Sequence, residues 1–457
     1  MVRAMTSAPR DASPVRGGSR RAATGAVLIA LVVAAFEGTV VTSAMPSIVA
    51  ALGGLDVYAW VFSAFLLAST IGVLTAGKLA DVLGRRPVFT FGVGLFLAGS
   101  MLCGLSRSIG ALITFRLIQG LGAGAIQPIA MTITGDLYTL RERARVQGLF
   151  TGAWGAANIA GPILGGMLVA HASWRWVFFV NVPFGLLAVI LLLASYRDPP
   201  RPAARVMGVG GALLAGVVAA LLLVALEPGG GLSIAVRLVA LAAAALTGWL
   251  LARQQRRSPS PILPASVLPS PVVRAGLVAS VFAGGLLYAT AAYAPLWLLQ
   301  RLSTSAVTAG AALVPLLGGW AVGSSFGVGV LVRWGMKASV GGGFALAAAG
   351  ASMLAWAAFS SAPAPFVFAS LAVLGLGLGP AASTSLVAPQ SHVDWQHRGM
   401  ITSVVYASRM LGGALAVAAL GSTVAAASWR FAAIAAIAVG AAIVLGLIAP
   451  RRVTESA

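Results

Sequence analysis

The chain has 457 residues, of which 59% are hydrophobic and 9% are charged, and its mean hydropathy is +0.96. Soluble domains carry about 25% charged residues, so this composition excludes a soluble protein and indicates one that is integral to a membrane. A net charge of +20 would be compatible with a nucleic-acid partner, but the positions of the cations along the chain explain the excess of positive charge in another way.

Apolar runs that are long enough to cross a bilayer follow one another along almost the whole chain. A hydrocarbon core of about 30 Å needs roughly 20 helical residues. We predict fourteen spans, at residues 24–50, 57–77, 88–105, 108–132, 146–170, 174–195, 206–227, 232–252, 274–299, 305–332, 338–359, 364–388, 399–425 and 428–449. The expected fold class is therefore an all-α integral membrane protein.

Two Pro- and Arg-rich segments, 197–205 and 253–271, divide these spans into groups of six, two and six. Two six-helix bundles with two inserted helices are the expected architecture. The predicted domains are a disordered basic tail (1–22), an N-terminal bundle (23–196), a linker with the inserted helices (197–257), a C-terminal bundle (258–450) and a second tail (451–457).

The cations concentrate on one side of the predicted membrane. If the N-terminus is cytoplasmic, 23 of the 30 Lys and Arg residues lie in cytoplasmic segments, five lie at outer ends, and Arg116 and Arg409 lie within spans. Cytoplasmic loops of membrane proteins carry such an excess. We expect a multi-pass protein of the cell (inner) membrane with both termini cytoplasmic, and no nucleic-acid partner.

Three formal charges lie deep within the apolar runs: Glu37, Arg116 and Arg409. A charge at the bilayer centre costs at least a few kcal/mol, so such residues usually face a polar interior and mark a pathway. Glu37 is the only acidic residue near the middle of a span, which makes it the candidate proton carrier, with either arginine as its partner. A permanent ion pair with one arginine is the alternative.

The sequence does not favour an enzyme or a nucleotide-driven pump. The segment 72–78 resembles a phosphate-binding loop, but Leu79 stands where a Ser or Thr would bind magnesium. The sequence shows no Ser/His/Asp set and no metal-ligand cluster. We therefore expect no cofactor and no metal, and an ion gradient as the energy source.

The loop after the second span, Gly77 to Arg86, reads GKLADVLGRR. It resembles the cytoplasmic loop signature of the major facilitator superfamily, which is thought to latch one conformation. Gly77 would let two helices approach, and Gly84 would allow a tight turn. The resemblance implies a latch formed by Gly77, Asp81, Gly84, Arg85 and Arg86. Gly335 and Lys337 follow the second span of the second group in the same way, as in transporters built from repeats.

Spans four and five carry two further resemblances. Arg116 to Gly122 is similar to the superfamily's fourth-helix motif, whose arginine is implicated in proton coupling. The fifth span ends in GPILGG and looks like the motif of the superfamily's antiporters. That resemblance points to Gly152, Gly161, Pro162, Gly165 and Gly166.

The segments Trp174 to Gly185 and Ser408 to Leu415 resemble the fourteen-span drug:proton antiporters of that superfamily, although Glu37 stands where that family has an aspartate. The resemblance implies a proton-coupled secondary active exporter of hydrophobic or cationic small organic molecules, which works in multidrug efflux by alternating access. We expect the protein to be a monomer. Export of one dedicated metabolite, lipid or antibiotic is an alternative, and a non-transporting membrane sensor is a distant one. The candidate cavity residues are Gln119, Gln127, Thr151, Trp154, Asn158, Tyr288, Tyr293, Trp297, Thr402 and Tyr406.

Overall fold

The computed structural model describes residues 19–138, 140–198, 210–226, 232–258, 261–262, 267, 269–302, 310–360, 362–393, 398–421 and 427–451. The long helices of these residues are α1 (Arg20–Leu52), α2 (Tyr58–Leu83), α3 (Arg85–Gly104), α4 (Ile109–Leu137), α5 (Leu140–His171), α6 (Asn181–Ser195), α7 (Gly210–Ala225), α8 (Ile234–Arg257), α9 (Pro271–Leu302), α10 (Leu313–Ser360), α11 (Ala364–Ser391), α12 (Arg398–Gly421) and α13 (Ala427–Ile448).

Within the described residues, twelve helices are long and apolar enough to cross a membrane, and α7 is apolar but has only 16 residues. The predicted all-helical, membrane-spanning chain is confirmed.

Serine hydroxyls cap helices that sequence periodicity had located only approximately. Ser19 accepts a hydrogen bond from the N–H of Ala22, and Ser108 accepts one from the N–H of Ala111. Because α1 begins at Arg20, residues 20–22 are helical and are not part of a disordered tail.

Two glycines turn the chain at corresponding places in the two halves. Gly84 separates α2 from α3 with a φ of 99°, and Gly335 interrupts the 48-residue α10 with a φ of 85°. Only glycine adopts such angles without strain. The predicted spans 305–332 and 338–359 thus correspond to the two segments of α10, and the shared turn geometry supports the internal repeat.

The helices alternate in direction, so the bundles have two ends. The terminal end holds the start of α1, the turn at Gly84, the break at Gly335 and the end of α13. The loop end holds the α1–α2 and α3–α4 connections, around residues 53–57 and 105–108. A backbone hydrogen bond from Lys337 to Pro450, 3.1 Å long, joins two segments of the C-terminal bundle at the terminal end.

The two bundles share one hydrophobic core at the loop end. This core joins the loop-end halves of α1 to α4 to residues of α9 through α13. Two hydrogen bonds cross the same junction: the hydroxyl of Tyr58 donates to the carbonyl of Ala292 over 2.6 Å, and that of Ser63 donates to the carbonyl of Ala414 over 3.0 Å. The bundles are therefore closed against each other at this end.

At the terminal end the bundles have separate cores. The core of the N-terminal bundle there consists only of residues from α1 to α6 and the residue that follows α6. The terminal-end core residues of the C-terminal bundle belong to a small cluster around the ends of α9, α11 and α12, or to the shared core, which includes Leu331, Met336 and Leu445 but no terminal-end residue of the N-terminal bundle. The described core residues thus do not join the bundles here as they do at the loop end. The structure corresponds to a conformation that is closed at the loop end.

The inserted helix α7 packs beside the junction of the two bundles. Ala219 and Leu223 belong to one hydrophobic cluster with residues 65–67 of α2 and Ala414 of α12. A side chain at Gly216 would collide with Ile71 of α2. Helix α8 packs on α7 and is mostly exposed, as expected of a helix surrounded by lipid.

Candidate functional site

Glu37 and Arg116 form a buried ion pair between the middle of α1 and α4. The Nη1 atom of Arg116 donates to the Oε1 atom of Glu37 over 2.5 Å. The Glu37 side chain is 0% exposed and that of Arg116 is 2% exposed. The sequence left two arginines as partners for Glu37, and the structure selects Arg116.

Three amide and hydroxyl side chains complete this network. The Nδ2 atom of Asn181, at the start of α6, donates to the Oε2 atom of Glu37 over 2.5 Å and to the hydroxyl of Ser100 over 3.2 Å. Gln119 accepts a 2.7 Å hydrogen bond from Arg116 and donates another, also 2.7 Å long, to Ser100. The network therefore ties together α1, α3, α4 and α6 of the N-terminal bundle.

The guanidinium of Arg116 is also held from α2. Its Nε atom donates to the carbonyl of Val61 over 3.2 Å, and its Cζ atom lies 4.0 Å from the centre of the Phe65 ring. A cation over an aromatic face gains roughly 0.5–2 kcal/mol, and more when water is excluded. Val61 and Phe65 belong to the helix that contacts α12, so the ion pair adjoins the junction of the bundles.

Asn181 and Ser100 were not predicted as site residues. Asn181 lies within the motif at Trp174 to Gly185, and it is the only amide in an otherwise apolar stretch from Trp176 to Ser195. That isolation is the signal that would have found it, because an uncharged polar side chain inside a span needs a protein partner. Ser100 carries no such signal, since serine can bond to its own helix.

Arg409 lies elsewhere, in the C-terminal bundle. Its Nη2 atom donates to the carbonyl of Ala382 over 2.9 Å and to the hydroxyl of Ser385 over 3.3 Å. The ring of Tyr406 lies 5.6 Å from its Cζ atom. Arg409 is 8% exposed, and it is not bonded to Glu37 in this structure.

The glycines of the fifth-helix motif bring α5 against the part of α1 that carries Glu37. A Cβ atom at Gly161 would collide with the hydroxyl of Thr39, and one at Gly165 would collide with the hydroxyl of Ser43. Small residues at a spacing of four allow such close contact. The antiporter-like motif is therefore packed beside the segment of α1 that carries the ion pair.

The other residues of this motif contribute less to that contact. Gly152 is exposed, and a Cβ atom added there would lie more than 4 Å from every neighbouring atom. Pro162 lies inside α5, where it removes a backbone hydrogen bond, and Gly166 is buried. Close packing on α1 is thus concentrated at Gly161 and Gly165.

The predicted latch forms a charged network at the terminal end. Arg85 lies 3.3 Å from a carboxylate oxygen of Asp136 on α4, which also accepts a 2.6 Å hydrogen bond from Tyr196. The Oδ1 atom of Asp198 accepts the backbone N–H groups of Arg85 and Arg86, over 2.8 and 3.1 Å, and so caps α3. Burial, together with the bond to Asp136, raises the pKa of Tyr196 well above its usual value, which keeps the phenol protonated.

One expectation about this latch is wrong. Gly77 was expected to permit close helix contact, but a Cβ atom there would meet nothing within 4 Å. Gly84 does make the expected tight turn, with its φ of 99°. The side chains of Asp81, Thr151 and Asn158 lie outside the described part of the chain.

Two predicted cavity residues are packed in the core of this conformation. The Tyr293 hydroxyl donates to the carbonyl of Val417 over 2.6 Å, and the Trp297 ring packs edge-on against Phe431 at 5.3 Å. Neither is more than 5% exposed. Both aromatic rings pack in the core at the loop end. The prediction that they line a cavity therefore does not hold for this conformation.

Gln119, also a cavity candidate, is wholly buried in the ion-pair network, whereas the remaining described candidates are less enclosed. Trp154 of α5 meets Trp320 of α10 edge-to-face at 5.5 Å, a contact between the two bundles. Thr402 accepts a 2.6 Å hydrogen bond from Gln390, and Gln127 is half-buried on α4. Tyr288 and Tyr406 are half-buried near Arg409.

Sequence and structure comparisons identify the family. The model of the Major Facilitator Superfamily matches residues 27–417. The multidrug transporter protein MdtP of Bacillus subtilis (strain 168) is 30% identical over 404 residues, which cover 87% of this chain and 74% of that protein. Multidrug resistance protein 3 of the same organism is 31% identical over 323 residues, or 69% of this chain and 62% of that protein.

A solved structure shares the fold of this chain. The solved structure of the POT family transporter PepTSo superposes with a TM-score of 0.70 at 16% identity, over 93% of this chain and 97% of that one. The chain belongs to the major facilitator superfamily. It is therefore a membrane transporter and not an enzyme, as the motifs predicted.

Proposed function

We propose that this transporter is a proton-coupled exporter of hydrophobic small organic molecules, cationic ones included, which works by alternating access in the cell (inner) membrane. The observation that carries the proposal is the buried Glu37–Arg116 pair, placed beside the bundle junction of a structure that is closed at one end. The names of the two Bacillus subtilis relatives support efflux of several compounds.

Proton transfer to Glu37 supplies the coupling in this proposal. The proton removes the negative charge that holds Arg116 and Asn181, so both side chains lose their strongest bond in the same event. Because Arg116 is also held by α2 at the junction, this loss changes the contact on which the two bundles pivot. One proton moving through 100 mV releases about 2.3 kcal/mol, enough for roughly a fiftyfold gradient of an uncharged substrate.

The distribution of cations supports a cytoplasmic terminal end, so the described conformation would face the cytoplasm and load substrate there. We further propose fourteen crossings. The 48 residues of α10 would extend about 72 Å if straight, far more than one bilayer, and Gly335 divides them into two spans. Because both bundles belong to one chain, a monomer is the proposed functional unit.

A cationic substrate requires one further step in this scheme. In the described conformation both carboxylate oxygens of Glu37 are occupied, one by Arg116 and one by Asn181. A cation can reach the carboxylate only after one of these bonds is broken. Hydrophobic neutral molecules face no such condition.

The test is proton flux through the full-length protein in proteoliposomes that carry an imposed pH gradient and a trapped pH indicator. Ethidium should release protons through the wild-type protein. Glu37→Gln should reduce this flux at least about tenfold, because an amide cannot carry the proton. Glu142→Gln is the matched control, since Glu142 is exposed at the terminal end, 3.8 Å from Arg20. Undiminished flux in Glu37→Gln would refute the proposal.

A further inference from the structure

Arg409 is a buried cation, and the acidic side chains within the spans supply no counter-charge for it. Of the ten acidic residues in the sequence, Asp394 is the only one between residues 258 and 450, and it precedes α12. Arg409 lies eleven residues inside α12, about 16 Å from its start. Glu37, the only acidic residue near the middle of a span, is bonded to Arg116. Arg409 therefore has no carboxylate partner among the described side chains.

The hydrogen bonds of Arg409 are also incomplete. Its two described acceptors are neutral, a carbonyl and a serine hydroxyl, and both are reached through Nη2. Its Nε atom is buried without a hydrogen-bond partner among the described residues. A buried guanidinium that is neither paired nor fully hydrogen-bonded is expensive, which favours a role in binding.

The surroundings of Arg409 combine a close backbone approach with aromatic surface. On α9, Gly284 permits contact with the backbone of Arg409, and Ser280, one turn away, has a buried hydroxyl without a described partner. Tyr406 and Tyr288 are half-buried and close enough to interact electrostatically with the guanidinium. Donors and aromatic rings are thus available to one ligand.

The depth of Arg409 places it beneath the closed junction. Ala414, which accepts the hydrogen bond from Ser63 across the bundles, lies five residues further towards the loop end. Arg409 is therefore about 7 Å on the terminal side of that contact, where the bundles begin to have separate cores.

We propose that Arg409 forms an anion-binding subsite in the C-terminal bundle, which receives the carboxylate, or a comparable oxyanion, of a hydrophobic substrate. The guanidinium supplies the charge and its parallel N–H groups, and the flanking tyrosines pack against the apolar body of the molecule. This inference specifies the substrate of the proposed exporter and rests on that function. It adds amphiphilic organic anions and zwitterions to the expected range.

The test compares three probes that share one ring system: 1-naphthaleneacetate, its neutral analogue 1-naphthaleneacetamide, and 1-naphthylmethylammonium. Binding is measured by equilibrium dialysis against the full-length protein in phosphatidylcholine liposomes without a pH gradient. The wild-type protein should bind the acetate at least about tenfold more tightly than the other two, as expected when a charge-assisted bond is gained. Arg409→Gln should reduce that preference to less than about twofold.

Two further variants make the result specific. Arg409→Lys keeps the charge and should retain part of the preference, which separates an electrostatic role from a structural one. Arg253→Gln removes an exposed cation from α8 and should leave the preference unchanged. Equal binding of the acetate and the acetamide by the wild-type protein, equal absence of binding included, would overturn the inference.

A competition experiment with phosphatidylglycerol separates a lipid ligand from a substrate, because a lipid headgroup also carries an oxyanion. If added phosphatidylglycerol displaced the acetate from the wild-type protein, the subsite would be a lipid-binding site and the substrate assignment would be wrong. Dialysis requires no proton movement, so this experiment and the Glu37→Gln flux assay fail independently. Loss of coupling with an intact acetate preference, or the reverse, is distinguishable.

Discussion

Replacing Arg116 by leucine should destabilise the protein by about 3–5 kcal/mol, the usual penalty for leaving one member of a buried ion pair without its partner. The Glu37 carboxylate would lose its charged partner and keep the hydrogen bond from Asn181, in a place that is wholly shielded from water. The measurement is denaturant unfolding of the purified protein in detergent, followed by circular dichroism.

The double variant Glu37→Gln/Arg116→Leu is the matched control for this effect. It removes both charges, and a buried pair replaced by neutral groups often costs little. We expect it to recover most of the lost stability while remaining unable to couple transport to protons. A double variant as unstable as Arg116→Leu alone would show that packing of the arginine, and not its charge, determines the effect.

Gly161→Val should abolish transport and reduce stability by about 1–3 kcal/mol or more, because the new side chain would collide with Thr39 and force α5 away from α1. The affected part of α1 lies within one turn of Glu37. The Glu37–Arg116 pair would then lose its geometry even though both residues remain. Proton flux in proteoliposomes and thermal unfolding in detergent measure the two consequences.

Gly152→Val controls for the cost of placing a β-branched residue in α5. A Cβ atom at Gly152 would have no neighbouring atom within 4 Å, so we expect both transport and stability to stay close to wild type. If Gly152→Val were as damaging as Gly161→Val, helix propensity and not the α1–α5 contact would explain the loss.

The three intramembrane charges were visible in the sequence, but their pairing was not. Position within the predicted spans places Glu37 and Arg409 at similar depths and Arg116 several ångströms nearer the outer end, and depth alone does not give the rotation of one helix against another. Only the packed bundle shows that Arg116 faces α1 and Arg409 faces α11. Which arginine pairs with Glu37 is therefore decided by tertiary packing.

Helix ends were predicted less well than helix centres. Span 108–132 corresponds to α4, which extends to Leu137, and the fifth span was expected to start at residue 146, whereas α5 is already helical at Leu140. Hydropathy detects the part of a helix that lies in lipid, and caps and polar extensions lie beyond it.

The terminal-end network shows a second limit of reading motifs along the chain. The loop signature pointed to Arg85 and Arg86, which the structure does place in a charged network. The carboxylates that bind their side chain and backbone groups, Asp136 and Asp198, lie more than fifty residues away in sequence. A motif identifies one side of such a contact, and the fold supplies the other.

The most direct test of proton coupling is the ionisation state of Glu37 itself. Infrared difference spectra of the full-length protein, recorded across a pH titration with and without ethidium, detect the carbonyl stretch of a protonated carboxylic acid. The band that disappears in Glu37→Gln belongs to Glu37. We predict that this band appears and disappears within the titration, and that ethidium shifts its midpoint. A carboxyl group that stays in one ionisation state under every condition would contradict proton coupling through Glu37.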